Sequence, residues 1–138
     1  MNSLRSPSTG RRAAQVATAA FGLVIVLQLL LALGVVPISM AWGGTQTTLT
    51  PALRLASLAA AVILALFAYI IRRRAGLTGA GRPGRLVAVL AWLTTAFLFL
   101  NTLGNFASSS SGEKLLFGPI SLVLAVSCLI VSWSRVSD

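Results

Sequence analysis

The chain has 138 residues, 57% hydrophobic and only 9% charged, with eleven Lys and Arg against two acidic residues. A soluble domain carries about 25% charged residues, so a mean hydropathy of +0.91 excludes an ordinary soluble globule and points to an integral membrane protein. The absence of histidine and the single cysteine, Cys128, exclude intrachain disulfides, Cys/His zinc sites and Cys-x-x-Cys redox motifs.

A helix needs about 20 mostly apolar residues to cross a bilayer, and four stretches qualify: 13–36, 51–71, 85–103 and 115–133. The first carries no charge; Gln15, Thr18 and Gln28 are its polar interruptions, and Pro37 follows its end. Basic residues before it and Ser39-Met40-Ala41 after it resemble a cleavable leader. Leader apolar regions run only about 7–15 residues, so this stretch reads as a retained span. Gln28, deep in the first helix, is expected to bond across to another helix; the other reading is a polar waypoint for a substrate.

The second stretch opens with Thr50 as N-cap and Pro51 at the first helical position, and it stops at Arg72-Arg73-Arg74. Ala52, Ala56 and Ala60, beside Ser57, Ala61, Ala65 and Ala68, form small-xxx-small rows. Such rows let helices approach closely, so this helix is expected to be the central packing element. The third stretch carries Thr94 and Thr95, whose hydroxyls are expected to bond back to their own helix. The fourth tolerates Pro119 in its first turn, and Trp133 near Arg135 reads as an interfacial anchor. None alternates with period two, so strands are not expected. The expected fold is all-α, an integral membrane four-helix bundle running up-down-up-down as one domain over 1–138.

Orientation follows from charge. Nine of the eleven basic residues precede the first stretch, lie between the second and third or open the third, or follow the fourth; Arg54 and Lys114 are the exceptions. Positive residues stay cytoplasmic, so the expected location is the bacterial cytoplasmic membrane with both termini on its cytoplasmic side. The cluster Arg72, Arg73, Arg74, Arg82 and Arg85 sets this topology and is also a candidate contact for anionic lipid headgroups. Nucleic acid is not an expected partner, because no recognition module accompanies these charges.

Catalysis is not expected. Acid–base chemistry needs positioned titratable groups, and the only carboxylates, Glu113 and Asp138, fall on opposite membrane faces in this topology. Cys128 sits among apolar residues that disfavour thiolate, and the glycine pairs lack phosphate-loop spacing. No cofactor or metal is expected. The expected role is a non-catalytic membrane subunit or interaction protein, homo-oligomeric or within a larger complex. The alternative is a transporter or channel component.

One constellation carries that alternative. The topology gathers Trp42, Arg54, Ser57, Asn101, Asn105 and Glu113 at the outer face. Asn101 and Asn105 share a face if the third helix extends that far, as do Arg54 and Ser57. Two accounts are open. In the preferred one, an Arg54–Glu113 pair and the two asparagines tie loops to helices under Trp42. In the other, these groups line a shallow pocket for a small polar or anionic ligand.

The pattern Ala41-Trp42-Gly43-Gly44, Leu53-Arg54 with Ser57, then Leu100-Asn101, Asn105, Ser108, Ser110, Glu113 and Pro119 resembles small four-helix membrane proteins of bacteria. The resemblance implies the fold and a membrane location, and no activity. The chain departs from small multidrug exporters, which need a glutamate in the first helix. It departs also from fluoride channels, whose N-terminal arginine motif it lacks, and from tetraspan quinone reductases, which need Cys-x-x-Cys.

Overall fold

The computed structural model describes residues 5–134; Arg135 and Asp138, which entered the charge and carboxylate arguments, lie outside them. Among the described residues there is no strand. Four helices, α1 (Pro7–Leu33), α2 (Pro51–Arg74), α3 (Arg85–Ala107) and α4 (Gly118–Trp133), make up the fold, with a π-helical turn at Glu113–Phe117 leading into α4. Each is long and apolar enough to cross a membrane, α4 together with its π turn.

The helices start and stop for local reasons. α1 begins at Pro7, six residues before the apolar stretch, because Ser6 caps it: its Oγ accepts the Thr9 N–H at 3.2 Å. Arg11 and Arg12 are therefore helical although polar. α1 ends at Leu33, earlier than the expected residue 36, because Gly34 turns left-handed (φ 78°). Its N–H and that of Val35 then close on Leu31 O and Leu30 O at 3.1 and 3.0 Å. Thr50 caps α2 as expected, accepting from Leu53 N at 3.3 Å. The three arginines that looked like a stop instead continue α2 to Arg74, where cations are favourable against the helix C-terminus.

Packing corrects one expectation. α2 buries only Ser57, Ala61, Ile70 and Ile71 along its length, while Ala52 and Ala65 are exposed. The most enclosed helix is α4: half of its apolar window is buried, against 22% for α2. Small inward residues on α4, among them Ser121, Ala125 and Cys128, allow this. α1 packs on α2 and α4, and α3 packs on α4, whereas α2 and α3 touch each other sparsely. Between these contacts lies a core whose fully buried side chains include Phe21, Leu31, Ile71, Leu98 and Leu124. Large apolar side chains face outward on every helix, for example Val26, Val62, Leu93 and Val123.

The bundle has two chemically distinct ends. At one, Arg74 Nη2 donates to Ser132 O and Ser134 O at 3.2 and 3.0 Å, satisfying carbonyls that α4 leaves open at its C-terminus. Arg73 gathers the 75–84 connection, donating to Ala80 O and Gly81 O at 2.9 and 3.0 Å. The Arg5 guanidinium lies 5.2 Å over the Trp133 ring, which meets Trp92 edge-on at 6.1 Å. So two of the arginines read as lipid contacts hold the chain's own backbone; Arg82 and Arg85 are exposed. The other end is formed by the 34–50 connection lying against residues 108–113.

Candidate functional site

Sparse contact between α2 and α3 leaves a cleft of about 350 Å³ at the Trp42 end. α2 contributes one wall through Ala56, Ala59, Ala60, Ile63 and Phe67, and α3 the other through Phe97, Asn101 and Asn105. α1 and α4 close the back with Val24, Gln28, Phe117, Ser121 and Leu124. Phe67 and Phe97 meet edge-to-face at 5.4 Å across the two walls. Trp42 and Glu113 also line the cleft.

The loop bearing Trp42 is clamped in place. Gly43 N donates to Glu113 Oε1 at 3.0 Å, and Ser109 Oγ donates to Gly43 O at 2.7 Å. Ser110 Oγ donates to Ser39 O at 3.0 Å. Gly44 (φ 73°) lies so close to Ser110 that a Cβ would fall 2.5 Å from the serine Cβ. Trp42 itself holds φ 56°, a conformation a bulky residue adopts only when its surroundings enforce it. Its Nε1 donates to the buried Ser57 Oγ at 3.2 Å.

Glu113 is 9% exposed and opens the π turn, where the first backbone N–H groups favour negative charge. Its neighbour Lys114 is exposed. π turns are uncommon and often lie at functional sites; this one directs Glu113 and Phe117 inward together. Asn105 Nδ2 donates to Ser121 Oγ and Phe117 O at 3.1 and 3.4 Å, joining α3 to α4. Because α3 runs on to Ala107, Asn101 and Asn105 do share a face, and both line the cleft.

The structure does not bring the expected pair together. Arg54 Nη1 donates to Ala32 O at 2.8 Å, serving a carbonyl left open at the end of α1, and Arg54 does not line the cleft. Among the described residues Glu113 makes no ion pair, and it instead ties the Gly43 loop. Thr95 bonds back to Ala91 O at 2.8 Å as expected, while Thr94 Oγ1 is buried with no partner among the described residues. Gln28 departs from the preferred reading: its side chain lines the cleft, and its Oε1 is buried without a hydrogen bond among the described residues. The alanines of the cleft wall were visible as a small-residue row, but nothing in the sequence says that no side chain fills the space before them. The Phe67–Phe97 contact has no local signal, since it joins different helices. Comparison with family models, curated proteins and solved structures gives no match.

Proposed function

We propose that the chain is a non-catalytic, multi-pass protein of the bacterial cytoplasmic membrane, acting as a binding component that holds or passes on a small molecule in the α2–α3 cleft. The observation that carries this reading is the cleft itself. Its volume of about 350 Å³ falls in the roughly 300–1,000 Å³ range of small-molecule sites. Its lining is mostly apolar with a few polar groups, as such sites require. Outward-facing apolar residues on all four helices support a lipid surround. The bundle runs up-down-up-down with both termini and the 75–84 connection cytoplasmic, a topology supported by the placement of arginines at one end. The cleft then opens towards the outer half of the bilayer.

A subunit role is the second reading, favoured by the partly uncovered small-residue row of α2 around Ala52, Ala56 and Ala60. One experiment separates the two. Protein purified from native membranes in mild detergent is examined by mass spectrometry beside an Ala60→Phe variant that fills the cleft. A small molecule carried by the wild type and lost from the variant is the expected result. A stoichiometric partner protein with an empty cleft in both forms would favour the subunit reading.

A further inference from the structure

We infer that the cleft takes a small amphipathic organic cation, its ammonium group at Glu113 and its apolar body between α2 and α3. The inference rests on reading the cleft as a binding site, and it adds the chemistry of the occupant. Among the described residues the only charged side chain lining the cleft is an acceptor, Glu113. Gln28 Oε1 is buried with no donor, and a buried acceptor left unmet is costly. Glu113 is 9% exposed and receives one side-chain hydrogen bond, from Gly43 N, although a carboxylate can accept about four. It is the only acidic side chain among the described residues, and it makes no ion pair. The two described cations that the sequence places nearest it do not serve it: Arg54 is bonded to Ala32 O, and Lys114 is exposed.

Two of the donors at the cleft are spent. Asn105 Nδ2 is bonded to Ser121 Oγ and Phe117 O, and Trp42 Nε1 to Ser57 Oγ. An anionic ligand would meet a buried carboxylate and find only the uncharged Asn101 and Gln28 amides to bond it. A protonated amine meets the opposite arrangement: the Glu113 carboxylate accepts its N–H groups, and the Gln28 amide, turned to present its oxygen, adds a second acceptor. Trp42 and Phe117 also line the cleft, aromatic rings of the kind that attract a cation. The remaining walls, Ala56, Ala59, Ala60, Ile63 and Leu98, suit a hydrocarbon body.

The test uses the full chain in lipid nanodiscs and three probes that differ only at the head: phenylbutylammonium, phenylbutanol and phenylbutanoate. Equilibrium binding is measured for the wild type, Glu113→Gln, Gln28→Leu and Ala60→Phe. The wild type should bind the ammonium about tenfold or more tighter than the alcohol, the scale of one charge-assisted hydrogen bond. Glu113→Gln keeps an acceptor for Gly43 and should erase that preference, and Ala60→Phe should abolish binding of every probe. Should Glu113→Gln fail to fold, Gln28→Leu carries the test by weakening the ammonium several-fold and the alcohol little. Equal affinity for all three heads, lost in Ala60→Phe, would overturn the cation while leaving the cleft a binding site. No binding, or binding indifferent to Ala60→Phe, would overturn both.

Discussion

Replacing Arg54 and Glu113 singly and together by alanine tests how the Trp42 end is held. Arg54 reaches Ala32 O at 2.8 Å from an exposed position, so its loss removes a charge-assisted bond that water partly replaces. That should cost about 0.5–1 kcal/mol. Glu113 is buried, and its loss strands the Gly43 N–H it accepts at 3.0 Å and frees the loop from the π turn. A lost hydrogen bond to a charged group and a lost loop tie together amount to about 1–3 kcal/mol. The two side chains share no partner, so the double substitution should equal the sum of the singles within about 0.5 kcal/mol. Equilibrium unfolding in mixed micelles, run as a double-mutant cycle, measures this. A coupling above about 1 kcal/mol would mean that the charges act as a pair, and the separate assignments would be wrong.

Three further outcomes are expected. Gly43→Ala meets open space but a φ of 81°, and should cost about 1 kcal/mol; Gly44→Ala adds a 2.5 Å approach to Ser110 Cβ and should cost clearly more in the same unfolding assay. Gly10→Ala would drive a Cβ to 2.8 Å from Ser134 Cβ where α1 crosses the end of α4, destabilising the bundle by about 1–3 kcal/mol, and Ser134→Gly in the same chain should restore most of the loss. A reporter fused after Asp138 and another inserted at 77–81 should both read cytoplasmic, while a cysteine at Thr47 should be labelled only from outside; outside labelling at 77–81 would reverse the orientation.

Much of the fold was legible because membrane helices announce themselves by length and hydropathy. Thr50-Pro51 fixed the start of α2 through cap chemistry that is local in sequence. Ends set by polar residues were harder. Arg72–Arg74 looked like a terminus because charge leaves the hydrocarbon there, yet arginine is a good helix former and favourable at a C-terminus. The site was legible as residue types and face: Trp42, Asn101, Asn105 and Glu113 do meet at one cleft. Its wiring was not legible. Arg54 finds the end of α1 and Glu113 finds the Gly43 N–H, because open backbone groups at helix ends and loops compete with side chains for every charge. Those partners have no sequence signature. The cleft itself depends on how far α2 stands from α3, a distance set by the whole bundle.

Site-specific photo-cross-linking in native membranes tests the central claim most directly. A photoreactive residue replaces Ala60 in the cleft wall, and a second chain carries it at Val62, which is 70% exposed on the same helix. Mass spectrometry of the adducts should give a discrete small molecule from position 60, absent from position 62 and displaced by added phenylbutylammonium. The same bulk lipid acyl adducts from both positions, unchanged by the competitor, would contradict the claim that the cleft is a binding site.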